Sequence, residues 1–256
     1  MNERAALQRR TLRVLVAAQV LSGLGGSGAA AGALLALDIT GSDALSSLPL
    51  ALLVVGSAAT VVPVSSLSRR AGRRVGLATA LAIAAIGAAG IVVAGEVESF
   101  ALLLAASLLF GAGNTAVMLA RYAAVDLSTP AERGRAIGRV VFATTFGAVA
   151  GPNLMEPAGS VATTLGLPEL TGLFLTSMVA FALAALVLTV FLRPDPLKIA
   201  AGRPAEERIA LAHRRGTALP PITVVRRPDG YYVVDGRHRV SVALALGLRE
   251  IEAWAA

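Results

Sequence analysis

The sequence predicts an all-α bundle of six membrane-spanning helices in residues 1–198, followed by a small cytoplasmic α/β unit in residues 199–256. Hydrophobic residues make up 55% of the chain and charged residues only 15%, against roughly 25% charged residues in a typical soluble domain. The mean hydropathy is +0.72. Six apolar runs free of charged residues divide the first 203 residues, and the Lys and Arg residues fall only in alternate connections. Because positive residues favour the cytoplasmic side, this alternation indicates a multi-pass protein of the cell (inner) membrane with both termini in the cytoplasm.

Basic and acidic residues lie in different connections between the apolar runs. Basic residues occur before the first run, between runs two and three, between runs four and five, and after run six: Arg4, Arg9, Arg10, Arg13, Arg69, Arg70, Arg73, Arg74, Arg121, Arg133, Arg135, Arg139, Arg193, Lys198 and Arg203. The other connections hold only acidic charges: Asp38, Asp43, Glu96, Glu98, Glu156 and Glu169. The net charge of +7 is therefore interpreted as a signal of membrane topology, placed near lipid headgroups, and not as a nucleic-acid surface.

The six runs follow one another along the chain as residues 14–37, 44–67, 75–95, 99–120, 140–155 and 170–192. A helix needs about 20 apolar residues to cross the hydrocarbon core, which all but the fifth run provide. Backbone polar groups cannot stay unpaired in lipid, so each run is predicted to be helical. The fifth run is short and contains Gly151-Pro152, and its span depends on Arg139 reaching the cytoplasmic interface. The first run also resembles a signal peptide, but we expect it to remain uncleaved because further spans follow.

The composition excludes several kinds of chemistry. Cysteine is absent, which rules out disulfides, thiol catalysis and thiolate metal ligands. The only histidines are His213 and His238, so a zinc centre is not expected. No catalytic constellation is predicted, and the protein is not expected to be an enzyme.

Glycines interrupt the first and fourth runs. Residues 23–28 match the dinucleotide pattern G-x-G-x-x-G, but they lie inside a long apolar run and do not follow a short strand, so we interpret them as helix-packing residues. Residues 111–114, GAGN, form a similar glycine-rich segment in run four. Because runs one and four hold equivalent places in two three-helix halves, the pattern suggests an inverted repeat.

Two local motifs carry a family resemblance. Residues 65–74, SSLSRRAGRR, are similar to the loop signature Gly-x-Leu-Ala-Asp-Arg-x-Gly-Arg-Arg/Lys, and residues 147–152, GAVAGP, to Gly-x-x-x-Gly-Pro. With the loop at 128–136, these segments resemble one six-helix half of a major facilitator superfamily transporter. The resemblance covers about residues 10–198 and implies these transport-motif residues: Arg70, Gly72, Arg73, Arg74, Gly147, Gly151 and Pro152.

The chain also departs from the family's pattern. Arg69 occupies the position of the loop's carboxylate, and Ser65 that of its first glycine, which puts gating by this latch in doubt. Ser107 stands where the family often has an arginine in the fourth span, so proton coupling is not predicted. Alternatively, residues 147–152 form an ordinary helix that packs through its glycines. The arginines of 128–136 would then only mark the cytoplasmic side of the membrane.

The tail has its own pattern of elements. We predict a helix over 204–215, strands over 222–225 and 231–234 joined by a turn at 227–230, and a helix from a cap at Asp235 to about residue 246. A last strand is predicted at 251–254. Trp254 and the tyrosines are expected in the core and not as base-stacking platforms.

Around residues 235–241, DGRHRVS, the tail resembles the ParB/sulfiredoxin-like fold. The resemblance implies phosphate binding, with CTP or ATP as the candidate ligand, by Gly236, Arg237, His238 and Arg239. Arg237 replaces the sulfiredoxin cysteine, so sulfinic-acid repair is excluded. The glutamate of the ParB box is missing as well. Specific DNA binding is not expected, because no helix-turn-helix follows. The alternative is a capped helix with a solvated basic first turn, or one that contacts anionic lipid.

Three hypotheses for function stay open. The first is small-molecule efflux by alternating access, which needs a homodimer or a second six-helix half; Gln19, Asn114 and Asn153 are the polar candidates for its cavity. The second is a membrane-tethered ParB-like module that binds nucleotide or nucleic acid. The third is an inactive fusion remnant. The substrate and the coupling ion are not predicted.

Overall fold

The computed structural model describes residues 3–201, 209, 212–213, 219–248 and 250–255. The chain divides into two compact units, Met1–Lys198 and Ile199–Ala256. The helix predicted over 204–215 lies outside the described residues except at positions 209, 212 and 213.

The first unit is built from helices. In chain order they are α1 (Glu3–Gly25), α2 (Gly32–Thr40), α3 (Leu48–Ala71), α4 (Arg73–Glu96), α5 (Phe100–Phe110), α6 (Ala112–Val125), α7 (Arg133–Asn153), α8 (Met155–Thr164), α9 (Gly172–Phe191) and α10 (Pro196–Ala201). A 3-10 segment, Gly26–Ala31, joins α1 to α2. Gly41 and Gly72, both with positive φ, end α2 and α3, as expected for residues without a Cβ.

Within the described residues, five helical segments are long and apolar enough to cross a membrane. They are Ala6–Thr40, Asp43–Ala71, Arg73–Glu96, Phe100–Val125 and Glu169–Ile199. The run at 140–155 is not among them; it forms part of α7, and α8 follows directly. Arg133, Arg135 and Arg139 in the first two turns of α7 leave too short an uncharged stretch. By length alone the 21 residues of α7 extend about 32 Å, close to the thickness of the hydrocarbon core.

The core of this unit forms around α4, which packs on α3, α5, α6 and α9. Twelve of the 24 residues of α4 are buried, most of them alanine, glycine or leucine. Phe110 lies edge-on to Phe174 and Phe181, with ring centroids 5.8 and 5.5 Å apart. Small residues on α4 thus let the neighbouring helices approach closely, and the three rings fill the space beside them.

The second unit contains β1 (Ile222–Arg227), β2 (Gly230–Asp235), α11 (Arg237–Ala245) and β3 (Ala253–Ala255). The strand order is β2-β1-β3, with β1 antiparallel to β2 and parallel to β3. Two predictions for this unit were wrong. Asp235 belongs to β2, and Gly236, with φ +95°, is the residue that precedes α11. Trp254 is 69% exposed, and Tyr231 and Tyr232 are exposed as well, so these rings do not form a core.

Candidate functional site

The first unit contains an open cavity of about 400 Å³ between its helices, here called the central cavity. Its walls come from α1 and the 3-10 segment, α3, α5, α6, α7 and α9: Ser22, Gly23, Gly26, Ser27, Ala29, Leu53, Phe110, Gly113, Asn114, Val117, Thr144 and Phe181. Most of this surface is apolar, and none of these residues is acidic or basic. A cavity of this size suits a small organic molecule with few polar groups.

Two helix interruptions meet at this cavity. The α-helical pattern of α1 changes to a 3-10 turn at Gly26, and α5 and α6 are separated by Gly111. A side chain on Gly111 would collide with the carbonyl oxygen of Leu53, and a Cβ on Gly113 would lie 2.6 Å from Cζ of Phe181. The glycine segments of runs one and four therefore line one site, and Gly111 and Gly113 let the neighbouring helices approach it closely.

Asn114 is the residue of the cavity wall that has a side-chain amide. Its Nδ2 donates to Oγ of Ser57 at 3.1 Å, while Oγ1 of Thr115 donates to the Ser57 carbonyl at 2.8 Å. Oγ1 of Thr60 lies 2.8 Å from that of Thr115. This hydroxyl cluster on α3 and α6 orients the Asn114 amide toward the open side, where Asn114 is exposed.

The other two predicted cavity residues lie elsewhere. Gln19 is buried, with 3% exposure, and its Nε2 donates to the Val117 carbonyl and to Oγ1 of Thr144, both at 3.3 Å. It joins α1, α6 and α7 behind the wall, and its two partners, Val117 and Thr144, line the cavity. Asn153 is exposed and donates to the carbonyl of Val149 on its own helix. It lines a separate cavity of about 430 Å³ with Ala31, Met155, Glu156, Glu169, Leu170 and Leu173.

The loop motif of residues 65–74 lies at the junction of α3 and α4, where Gly72 has φ +106°. The carboxylate of Asp195 accepts hydrogen bonds from the backbone N–H groups of Arg73 (3.2 Å) and Arg74 (2.8 Å). It lies so close to Gly72 that a Cβ there would collide with it. Arg70 is exposed. Asp195 thus caps the positive end of α4.

The side chain of Arg73 forms an ion pair with Asp126 at the end of α6. Nε and Nη2 of Arg73 lie 2.9 and 3.3 Å from the two carboxylate oxygens, and both side chains are largely shielded, at 16% and 11% exposure. Sequence reasoning missed Asp126 and Asp195, because neither belongs to the loop motif. The sequence feature that could have predicted this ion pair and cap is the presence of two acidic residues, Asp126 and Asp195, at helix ends on the arginine-rich side.

In the following loop, Glu132 accepts hydrogen bonds from the hydroxyl and the N–H of Thr129. These bonds hold the pKa of Glu132 below its usual value.

Gly147 and Gly151 lie where α7 crosses α1. A Cβ on Gly147 would collide with the Val20 carbonyl and the Leu24 nitrogen, and one on Gly151 with Cβ of Ser27. The buried stripe of α7 is made of small and β-branched residues: Ala136, Val140, Ala143, Gly147 and Gly151. Pro152 follows this stripe, and its side chain lies outside the described part of the structure.

The predicted phosphate-binding residues of the tail lie at the start of α11. Arg237 and His238 are exposed. Arg239 turns the other way: Nη1 donates to the carbonyls of Pro220 and Pro221, and Nη2 donates to Asp235 at 3.0 Å. Arg239 also lines a tail cavity of about 410 Å³. The geometry therefore gives Arg239 a structural role and separates it from Arg237.

Among the described residues, no group of three or more His, Asp or Glu side chains is placed to hold a metal ion.

Comparison with known proteins gives a consistent result for the membrane part. The sequence model of the Major Facilitator Superfamily matches residues 15–248. Two uncharacterized MFS-type transporters of Bacillus subtilis (strain 168) are similar: YddS is 41% identical over 192 residues, and YdeG is 41% identical over 200. These regions are 75% and 78% of this chain but only 44% and 46% of the relatives, so the chain spans less than half of their length. No solved structure matches. None of these matches supports the ParB/sulfiredoxin resemblance of the tail.

Proposed function

The chain belongs to the major facilitator superfamily, as a multi-pass membrane protein of the transporter type, and we propose that it exports small molecules by alternating access. In this proposal the path is completed by a second six-helix half, either another copy of the chain or a separate polypeptide. The central cavity holds the substrate. The predicted orientation, with both termini in the cytoplasm, makes the arginine-rich helix ends the cytoplasmic side.

The observation that carries the proposal is the meeting of two interrupted helices at one apolar cavity. Interrupted helices line the substrate sites of many transporters, because the free backbone groups there meet a cavity and not lipid. Here Gly26 in the 3-10 segment and Gly113, just after the junction of α5 and α6, line the same space, and Asn114 and Thr144 offer hydrogen-bonding groups in its apolar wall.

Two exposed apolar helix faces offer surfaces on which a second half could pack. Only five of the 24 residues of α3 are buried, and Val54, Val55 and Val62 are exposed. On α7, the face opposite the glycine stripe carries Phe142 and Phe146, which are 64% and 61% exposed and contact each other edge-on. Large exposed aromatic patches are typical of lipid or protein contact surfaces.

A cavity-filling variant tests the transport proposal. Neither Gly26 nor Gly138 has an atom within 4 Å of an added Cβ, but only Gly26 lines the cavity. We therefore expect Gly26→Leu to abolish export of small fluorescent molecules from cells, and Gly138→Leu to leave it unchanged. The chain is expressed alone and together with any six-helix protein encoded beside it. Equal accumulation in cells with the wild type, Gly26→Leu or no protein, under both conditions, would refute the proposal.

Cysteine cross-linking tests the second half. The chain has no native cysteine, so an introduced one is unique. Phe146→Cys is expected to form a defined cross-linked species with a second half in native membranes. Ile86→Cys, on the exposed face of α4, is the control and is expected to remain monomeric. Identical cross-linking at the two positions would argue against an interface on α7.

A second candidate function belongs to the tail. The left-handed Gly236 opens α11, and the exposed Arg237 and His238 follow it, an arrangement that suits a phosphate group of CTP, ATP or lipid. Calorimetry of the full chain with CTP and ATP tests this, with Arg237→Ala as the variant. No heat of binding with either nucleotide, or binding unchanged in Arg237→Ala, would dismiss it for nucleotides.

A further inference from the structure

We propose that the central cavity takes neutral, largely apolar molecules that carry an N–H or O–H donor, and that the side-chain oxygen of Asn114 accepts a hydrogen bond from that donor. This inference rests on the proposed transport function and names its substrate class. It follows from the direction of the hydrogen bonds that the polar residues of the wall already make, and from the uncharged character of the residues that line the cavity.

The hydroxyl groups of the cavity wall already donate their hydrogens to the protein. Ser22 and Ser27 each donate to a backbone carbonyl of their own preceding turn at 2.7 Å, and Thr144 donates to one at 3.2 Å. Thr144 also accepts from Nε2 of Gln19 at 3.3 Å. A hydroxyl has one hydrogen and two lone pairs, so these groups can offer a ligand only lone pairs in this arrangement. Toward the cavity the three hydroxyls are therefore acceptors.

Asn114 adds a stronger acceptor to the same wall. Its Nδ2 donates to Oγ of Ser57 at 3.1 Å, and the carbonyl of Ser57 in turn accepts from the hydroxyls of Thr60 and Thr115 at 3.0 and 2.8 Å. Asn114 is exposed, and its Oδ1 makes no hydrogen bond within the described part of the chain. The second hydrogen of Nδ2 is the side-chain donor that remains among the lining residues. Acceptors thus outnumber donors on this wall.

The same wall favours a ligand without charge. None of the lining residues is acidic or basic, so a charged group would give up hydration without gaining a counter-charge. A neutral N–H or O–H group needs one acceptor, which Asn114 supplies. Leu53, Phe110 and Phe181 cover the apolar part of the molecule. A molecule whose polar groups are only acceptors, such as an ester or an ether, would find few partners here.

Fluorescence titration of the full chain in phosphatidylcholine nanodiscs tests the proposal with three neutral probes. Dansylamide carries two N–H hydrogens on its sulfonamide, its N-methyl derivative carries one, and its N,N-dimethyl derivative carries none. Empty nanodiscs give the concentration of each probe in the lipid, to which the affinities are referred. Cavity binding is the part of the signal that Gly26→Leu removes and Gly138→Leu leaves in place. We expect dansylamide to bind about fivefold tighter than the dimethyl derivative, the ratio typical of one hydrogen bond between neutral groups.

Three variants assign this preference to Asn114. Asn114→Leu should weaken dansylamide to the level of the dimethyl derivative, whose own binding should stay unchanged and so shows that the cavity is intact. Ser57→Ala releases Nδ2 and should remove part of the preference, because the amide can then turn. Asn153→Leu is the matched control: this asparagine is exposed, donates to its own helix and lines the other cavity, so the preference should remain.

The proposal is overturned if the preference survives in Asn114→Leu, as a preference caused by probe size would, or if the dimethyl derivative binds the wild type tightest. Equal binding of the three probes, still removed by Gly26→Leu, would refute the substrate class but leave the transport cavity intact. No binding that depends on Gly26 would count against both.

Discussion

Two carboxylates outside the loop motif stabilise the arginine-rich helix ends, one by capping a helix and one by forming an ion pair. The motif has Arg69 where the family has an acidic residue, yet the junction of α3 and α4 still meets two carboxylates. Asp195 accepts from the backbone at the start of α4, and Asp126 pairs with the side chain of Arg73. A motif records residues that are close in sequence, whereas these partners come from 53 and more residues away along the chain.

Breaking the Arg73–Asp126 pair should destabilise the first unit. Arg73→Gln leaves a shielded carboxylate without its charged donor, so we expect the free energy of unfolding to fall by about 2 kcal/mol. Reversible denaturation in mixed detergent micelles measures this. The exchange Arg73→Asp with Asp126→Arg should recover part of the loss, while an exposed control, Arg69→Gln, should change little. Equal stability of Arg73→Gln and wild type would show that the pair contributes nothing.

The basic cluster of the tail separates into two roles. Arg239 ties the segment before β1 to the start of α11, so Arg239→Ala is expected to destabilise the sheet by about 1–3 kcal/mol. Arg237 is exposed, and Arg237→Ala should stay within about 0.5 kcal/mol of wild type. Amide hydrogen exchange in β1 and β2 distinguishes the two. Similar protection in both variants would contradict the structural role of Arg239.

At the scale of elements, hydropathy predicts where apolar helices lie but not where they are interrupted. Run one and run four were each predicted as one helix, and in the structure each is one helical segment, Ala6–Thr40 and Phe100–Val125, whose hydrogen-bond pattern changes near Gly26 and Gly111. An apolar stretch keeps the same hydropathy whether its backbone is regular or not. Only the glycines indicated where the backbone pattern changes. They were interpreted as helix-packing residues, which accounts for the close helix approach at Gly111 and Gly113 but not for the change in hydrogen bonding.

The crossing of α1 and α7 gives a matched pair of glycine substitutions. Gly147→Ala puts a Cβ against backbone atoms of Val20 and Leu24, which cannot move without shifting α1, so a loss of about 1–3 kcal/mol is expected. Gly138→Ala on the same helix meets nothing within 4 Å and should raise helix stability by up to about 1 kcal/mol. Thermal unfolding in detergent compares them. A destabilisation of the same size in both would mean that the close approach at Gly147 does not matter.

In the tail, the first two strands and the helix after them were predicted to within about two residues, because their turn and glycine signals are local. The burial of Trp254 and the tyrosines was predicted wrongly. Burial depends on what covers a strand, and alternation along a strand does not identify the covering element. Arg239 likewise looked equivalent to Arg237 in sequence, and only its direction in the fold separates them.

At the scale of the whole molecule, composition and charge order predicted a multi-pass helical membrane protein, and the family match confirms that class. The motifs predicted the family itself. The cavity was predicted only in part: Asn114 lines it, whereas Gln19 supports its wall and Asn153 faces another space. Which polar residue faces a cavity depends on the rotation of each helix about its axis, and runs that are apolar on all sides carry little information about that rotation.

The proposed six-span topology requires that α7 and α8 cross the membrane as the fifth span, although five other segments are more apolar. The most direct measurement is labelling of single cysteines in intact cells with a membrane-impermeant maleimide, using the cysteine-free chain as background. With six spans, Leu165→Cys and Glu98→Cys are expected to react from outside, whereas Arg133→Cys and Lys198→Cys are expected to react only after permeabilisation. Reaction of Arg133→Cys and Leu165→Cys from the same side of the membrane would contradict it.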